Sequence, residues 1–175
     1  MKLAVIRDLF PGIPSENGPF FRMTNEAYGG TIDDLGPSFI YGGRYNVKDE
    51  FGVLYLSSSA QCAFSERLRQ VRGRKNDLLP QVIATFEVKI QKCLNLFEEK
   101  VRKEIGIVLE DLTKDSDFST PQSISREART AGFEALIAPS AVGKECQTLV
   151  VFKDRLEPPS YCTLKKDSIK PFVSN

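Results

Sequence analysis

Residues 41–68 read YGGRYNVKDEFGVLYLSSSAQCAFSERL, and they join a glycine turn, an apolar run, three serines and an amphipathic segment. The apolar run VLYLSS predicts a buried strand over 53–58, because it is continuous and rich in residues that suit a sheet. Side chains alternate between the two faces of a strand. Tyr55 and Ser57 are therefore expected on one face and the two leucines on the other.

A helix is expected immediately after this strand, from Ser59 to Arg72. Ser58 and Gln61 have the spacing of a capping box, which satisfies the first amides of a helix. At about 100° of rotation per residue, Glu66 lies on the flank of the apolar stripe rather than at its centre. The stripe itself consists of Ala60, Ala63, Phe64, Leu68 and Val71.

The rest of the chain shows strands and helices without a regular alternation. We expect a short strand or ordered arm over 2–9, strands over 19–24, 80–90, 134–140, 148–154 and 161–166, an extended stretch over 38–43, and helices over 96–107 and 123–133. This irregular order favours a single α+β domain spanning 1–175, with a mixed, mostly antiparallel central sheet and flanking helices.

Composition excludes several classes of partner. Lys plus Arg number 24 and Asp plus Glu 23, so the net charge is +1 and no broad positive field exists to hold a phosphate backbone. Direct nucleic-acid binding is therefore not expected. The first residues are too weakly apolar for a signal peptide, and no run approaches membrane-spanning length. We expect a cytoplasmic protein that does not contact membranes.

The cysteines and the missing histidine limit the chemistry. The four cysteines are scattered, so we expect reduced, mostly buried thiols and no metal site. The chain contains no histidine. Ser-His-Asp and Cys-His catalysis and His-ligated metals are thereby excluded. An enzyme built from this chain would use carboxylates, hydroxyls, arginines and lysines, on a leaving group that departs without a tuned acid.

Three residues of the opening stretch are candidates for one site. Gly42 and Gly43 allow close approach of the backbone to a ligand, and Arg44 offers a planar fork suited to phosphate or carboxylate. Taken singly, Arg44 could be a surface residue of a turn, Tyr55 a core aromatic, and Glu66 a partner of Arg69 one turn along the helix. The spacing of turn, strand and helix allows all three to face a common cleft.

These motifs resemble the RES domain family, which is named for Arg, Glu and Ser positions. GGRYN, VLYLSSSAQCAFSERL and the later ALIAPSA…TLVVF match the blocks of that family, and FFRMT resembles its opening strand. The resemblance covers about 20–152. It departs from the family at Tyr45, which replaces the usual tryptophan, and at Thr148, which replaces an asparagine often seen there. The histidine common after the glutamate is also missing.

The resemblance implies an NAD⁺-consuming toxin with a fold similar to ADP-ribosyltransferases. By matching position it implies catalytic roles for Glu66, Arg44 and Tyr55, with Ser140 and Arg22 also binding substrate. Glu66 would stabilise the ribosyl cation, Arg44 would hold the pyrophosphate, and Tyr55 would wall the nicotinamide. Ser57 is expected nearby on the face of Tyr55. NAD⁺ would be a substrate, and no cofactor is implied.

Several alternatives stay open at this point. The acceptor could be water, inorganic phosphate or a protein side chain, and the last of these would make the chain an ADP-ribosyltransferase. A catalytically silent module that binds a nucleotide or a partner is a third reading. The family resemblance also implies an Xre-type antitoxin as partner. The basic run ERLRQVRGRK is interpreted as the solvated end of a helix, where cations complement the helix dipole. A docking patch for an acidic partner is the second interpretation.

Overall fold

The computed structural model describes residues 1–12 and 16–173. The strands are β1 Glu16–Asn25, β2 Leu54–Ser57, β3 Gln81–Ile90, β4 Cys93–Asn95, β5 Ala135–Pro139, β6 Gln147–Val151, β7 Tyr161–Leu164 and β8 Lys170–Pro171. They form one eight-stranded sheet in the order β4-β5-β6-β2-β1-β3-β7, with β8 pairing to β3 beside β7. Within the described residues, only the β4–β5 pair is parallel.

Six α-helices accompany the sheet in the described residues: α1 Val5–Leu9, α2 Gly36–Tyr41, α3 Ala60–Gln70, α4 Glu99–Ile105, α5 Leu109–Thr113 and α6 Ser119–Thr130. None of the helices in these described ranges is long and apolar enough to cross a membrane. The predicted α+β fold with a mixed, mostly antiparallel sheet and flanking helices is confirmed.

The two faces of β2 divide the core. Val53 and Tyr55 pack into a cluster shared with α1, α4, α5 and α6. Leu54 and Leu56 pack into a second cluster that also contains Phe86 of β3. The alternation expected for this strand is therefore confirmed. The second cluster joins side chains from the β1–β3 half and from the β2–β6 half of the sheet.

A third, smaller cluster seats α3 on the back of β1 and β3. Ala63 and Phe64 contact Met23 and Ile83, with Leu68 partly buried beside them. The apolar stripe expected for this helix is thus the face that packs. The cap differs from the prediction: Ser59, not Ser58, is the N-cap, and its hydroxyl accepts a hydrogen bond from the Cys62 amide at 3.0 Å.

Two short segments are helical where extended structure was expected. Residues 2–9 contain α1, which buries Ile6 while the Lys2 amide donates to the Ile105 carbonyl. Residues 38–43 contain the end of α2, which has a proline in its first turn. Both segments have too few residues to show a period, and contacts with distant parts of the chain decide their conformation. Helix α5 and strands β4 and β8 were not predicted at all.

The cysteine prediction was wrong for half of the thiols. Cys62 and Cys146 form a disulfide with a Cα–Cα distance of 5.6 Å, across 84 positions of sequence. Cys93 and Cys162 are free and buried, as expected. Their environment is apolar, and burial raises the pKa of Cys162 to about 11. The disulfide joins the first turn of α3 to the loop between β5 and β6.

Candidate active site

A cleft of about 1020 Å³ opens where β1 and β2 separate. The two strands pair at one position, Phe21 with Ser57, so their backbones diverge on either side of it. The loop after α2 and the C-terminal half of α3 close the sides. All six residues predicted from sequence line this one cleft: Arg22, Arg44, Tyr55, Ser57, Glu66 and Ser140. The expectation that turn, strand and helix face a common cavity is confirmed as geometry.

Glu66 is held by Ser140 at one wall of the cleft. The Ser140 hydroxyl donates a short hydrogen bond to Oε1 of Glu66. Ser140 is itself fixed, because its amide donates to the Cys146 carbonyl at 2.9 Å and its oxygen accepts from the Val142 amide at 3.2 Å. The other carboxylate oxygen of Glu66 lies 3.7 Å from Arg69. The carboxylate is thus oriented by a neutral donor on one side and lies beside a cation on the other.

The disulfide braces this pair of residues. Cys62 lies one turn before Glu66 on α3, and Cys146 closes the loop that begins at Ser140. Both cysteines are buried. A covalent link therefore ties the helix that carries the carboxylate to the loop that carries its hydrogen-bond donor.

Tyr55 contributes its ring to the cleft but not its hydroxyl. That hydroxyl accepts from the Tyr45 amide at 2.9 Å and donates to Oδ1 of Asn46 at 2.8 Å. Burial raises the pKa of Tyr55 well above its usual value. The tyrosine is therefore neutral and engaged in shaping the GGRYN turn, and only its ring could wall a ligand.

Asn46 is a structural residue of the site that the sequence reasoning did not single out. It is fully buried. Its amide nitrogen donates to the carbonyls of Ser38 at 2.7 Å and Phe51 at 3.1 Å, while its oxygen receives Tyr55. Its position at the end of the GGRYN motif was the available signal. Asn46 joins α2, the turn and β2. It therefore fixes the backbone position from which the Arg44 side chain extends.

The two glycines of the turn are needed for different reasons. Gly42 has a φ of 69°, a left-handed conformation that other residues rarely adopt. Gly43 lies outside that region, but a Cβ there would stand 2.6 Å from the Tyr55 hydroxyl. The turn therefore needs glycine at 42 for its backbone and at 43 for close approach.

Arg44 makes more contacts within the protein than the sequence predicts. Its Nη1 donates to the carbonyls of Leu112 at 3.0 Å and Lys114 at 2.6 Å, and its guanidinium lies 4.6 Å from the centre of the Phe118 ring. Burial is the main cause that lowers the pKa of Arg44, and the charge of Arg69 acts in the same direction. A bidentate grip on a phosphate would therefore have to use the edge of the guanidinium away from Nη1.

Arg22 offers a partly buried positive charge on β1. Its Nη1 is buried and makes no hydrogen bond with any residue that the structure describes. Burial lowers the pKa of Arg22, opposed by the charges of Asp33 and Asp34. A buried donor without a partner is unfavourable, and an anionic oxygen in the cleft would satisfy it.

The basic end of α3 does not behave as one solvated surface. Arg67 bonds to Gln81 at 3.0 Å and Asn25 at 2.9 Å. Arg69 lines the cleft and contacts Glu66 and Asp115. The interpretation as a solvated surface fits Arg74, which forms an exposed ion pair with Asp77. Helix α3 ends at Gln70, so Arg74 lies beyond it, whereas Arg67 and Arg69 lie within it.

The sequence model of the RES domain family matches residues 19–168. The chain belongs to the RES domain family. This RES domain is 37% identical over 120 residues to a Mycobacterium tuberculosis protein named "Probable NAD(+) phosphorylase", a match that covers 63% of the chain and 53% of that relative. The match thus spans about half the length of the curated relative.

The fold of this RES domain also has a counterpart among solved structures. A chain in the crystal structure of the M. tuberculosis MbcT–MbcA toxin–antitoxin complex superposes with a TM-score of 0.77 at 21% identity. The superposition covers 98% of this chain and 92% of that one. At this identity the likeness establishes a shared fold. The family predicted from the GGRYN motif and the later blocks is confirmed. The matched region, 19–168, extends beyond the expected 20–152.

Proposed function

We propose that this RES domain consumes NAD⁺ by cleaving the bond between nicotinamide and ribose. One observation carries the proposal: the Glu66 carboxylate is oriented by Ser140 inside a cleft that also contains the partly buried Arg22 and Arg44. The name of the M. tuberculosis relative supports the same substrate. The diphosphate of NAD⁺ lies between two sugars and carries negative charges that the two arginines could bind.

The absence of histidine in the sequence suits this reaction. Nicotinamide leaves NAD⁺ as a neutral base from a pyridinium, so no general acid has to protonate it. What the site must supply is negative charge near the anomeric carbon, where a ribosyl cation develops. Glu66 would supply it, and a fixed charge in such a cleft can lower a barrier by about 3 kcal/mol or more.

The remaining residues divide into binding roles. Arg22 would receive a pyrophosphate oxygen at its unpartnered Nη1, and Arg44 would add charge from its free edge. The ring of Tyr55 would wall the nicotinamide, with Ser57 beside it on the same strand face. Ser140 would act through Glu66, as a positioning residue that keeps one carboxylate oxygen turned toward its hydroxyl.

The acceptor divides the proposal into two reactions. Water would give ADP-ribose, whereas inorganic phosphate would give ADP-ribose phosphate. The name of the relative favours phosphate. Incubating the purified protein with NAD⁺, with and without phosphate, and identifying the products separates these outcomes. A labelled protein would instead indicate ADP-ribosyl transfer, and intact NAD⁺ would refute the proposal in favour of a silent binding module.

Glu66→Gln is the variant that tests the mechanism. Glutamine keeps the shape and can still accept the Ser140 hydrogen bond, so the fold should survive while the charge is lost. We expect the rate of NAD⁺ loss to fall about a hundredfold or more. Glu104→Gln, an exposed change on α4 outside the cleft, is the matched control. Equal rates in wild type and Glu66→Gln would remove Glu66 from the mechanism.

A cellular role as a toxin follows from the same reaction. The solved toxin–antitoxin complex that shares this fold supports a protein partner, and we expect an antitoxin of the Xre type. NAD⁺ depletion would take place in the cytoplasm. Expression of the wild type in bacteria should stop growth and lower NAD⁺, while Glu66→Gln at equal protein level should not. If the wild type and Glu66→Gln both stopped growth, NAD⁺ loss would not be the cause of the toxicity.

A further inference from the structure

Two arginines that line the cleft converge on one exposed carboxylate. Oδ1 of Asp115 lies 3.8 Å from Nη2 of Arg44 and is in direct contact with Nη2 of Arg69. The arginines come from the GGRYN turn and from α3, whereas Asp115 lies in the connection between α5 and α6. Residues 25 or more positions apart in sequence thus meet around a single oxygen atom.

The three side chains differ sharply in exposure. Those of Arg44 and Arg69 are 14% and 31% exposed, but that of Asp115 is 76% exposed. An ion pair with so exposed a partner contributes little to stability, typically below about 1 kcal/mol. Two guanidinium groups also repel one another, and the charge of Arg69 lowers the pKa of Arg44 in addition to burial. Such an arrangement is favourable where an anion lies between the two groups.

The segment that carries Asp115 is fastened on both sides of it. The Lys114 carbonyl accepts from Arg44 at 2.6 Å, and Asp117 accepts from the Ser119 amide at 2.9 Å at the start of α6. Asp117 also pairs with Lys114 at 3.1 Å. The backbone near Asp115 is therefore positioned by contacts that do not involve its own carboxylate. Turning that side chain into solvent would leave those contacts in place.

We propose that Arg69 is a further phosphate-binding residue of the site, and that Asp115 competes with a substrate phosphate for Arg69 and Arg44. The inference rests on the proposed function and deepens it, because it names a second cation for the diphosphate and the side chain that must yield to it. Glu66 contacts Arg69 on its other side at 3.7 Å. Arg69 would thus connect the diphosphate site to the carboxylate that faces the ribose.

The test is calorimetric titration of ADP into the full chain and its variants. Asp115→Asn should tighten ADP binding about two- to fivefold, in keeping with a single exposed ion pair. Arg69→Gln should weaken it about tenfold or more, as for a lost charge-assisted hydrogen bond. Glu110→Gln removes one negative charge from α5, a few residues away, and should leave ADP affinity unchanged.

A double variant separates competition from a general charge effect. If Asp115 acts through the arginines, the gain from Asp115→Asn should shrink when Arg69 is already glutamine. In NAD⁺ turnover, Asp115→Asn should lower KM and leave kcat unchanged. The same ADP affinity in wild type and Asp115→Asn, or an equal gain from Glu110→Gln, overturns the inference, as does a lack of ADP binding by every form.

The two proposals fail in different ways. A chain that binds ADP in the expected pattern and leaves NAD⁺ intact refutes the proposed reaction while supporting the anion site. A chain that consumes NAD⁺ with an ADP affinity indifferent to residues 69 and 115 supports the reaction and refutes the anion site.

Discussion

Gly43→Ala should break the turn that positions Arg44. A Cβ at residue 43 would lie 2.6 Å from the hydroxyl oxygen of Tyr55, 3.1 Å from its Cζ and 3.1 Å from Oδ1 of Asn46. The backbone of Gly43 is outside the left-handed region, so the cost is steric alone. The tyrosine cannot retreat freely, because its hydroxyl is held by hydrogen bonds of 2.9 and 2.8 Å in a buried place.

The size of the effect follows from these contacts. Overpacking a tight site costs about 1–3 kcal/mol, and loss of one of the hydrogen bonds adds about 1 kcal/mol. We therefore expect Gly43→Ala to lower the free energy of unfolding by about 2–4 kcal/mol, measured by urea unfolding followed by circular dichroism. NAD⁺ turnover should fall as well, since Arg44 is the next residue.

Two further variants make the test specific. Gly30→Ala places a Cβ in open space, with nothing within 4 Å, and should leave stability nearly unchanged. Adding Tyr55→Phe to Gly43→Ala removes the atom in closest contact, so the double variant should lose less stability than the two single changes added together. Strict additivity, or a Gly43→Ala protein as stable as the wild type, would refute the steric argument.

Three other outcomes follow from buried groups. Tyr45 is fully buried and its hydroxyl makes no hydrogen bond with any described residue, so Tyr45→Phe should raise the free energy of unfolding by about 1 kcal/mol in urea titrations. Burial also raises the pKa of Tyr45, so the unfolded chain ionises near pH 10 while the folded chain does not. Stability should therefore fall above about pH 10, by up to about 1.4 kcal/mol per pH unit for this residue, and less steeply in Tyr45→Phe; equal slopes would contradict the assignment. Reduction of the Cys62–Cys146 disulfide by dithiothreitol should lower Tm, because a cross-link over 84 positions is worth about 4–5 kcal/mol of chain entropy, and should slow NAD⁺ turnover by loosening Ser140 from Glu66. A variant with serine at both positions should not respond to dithiothreitol, and a wild type equally indifferent would show that the link is dispensable.

The part of the fold that could be predicted is the part with a local signal. VLYLSS and QVIATFEVKI are long and apolar enough to show their period, and the helix around Glu66 has both a cap and a stripe. The segments around Ile6 and Ser38 have neither, so their helical form depends on docking against other elements. The Cys62–Cys146 pairing likewise depends on a turn and a helix meeting in space, which spacing along the chain does not encode.

The site shows the same division. Composition and motif brought Glu66, Arg44 and Ser140 into one hypothesis, and the structure places them in one cleft. The direction in which each side chain points could not be predicted from the sequence. Nothing in GGRYN indicates that Arg44 donates from one nitrogen to carbonyls 68 and 70 residues later, or that the Tyr55 hydroxyl bonds to the turn. The roles of Arg69 and Asp115 depend on that same long-range packing.

The order of strands has a consequence for synthesis of the chain on the ribosome. Strand β6 lies between β5 and β2, so the two strands flanking it have no shared neighbour until residue 151 has emerged. Before that moment the loop bearing Ser140 has no fixed place beside the helix bearing Glu66. A nascent polypeptide therefore lacks the assembled cleft until strand β6 has left the ribosome, late in translation.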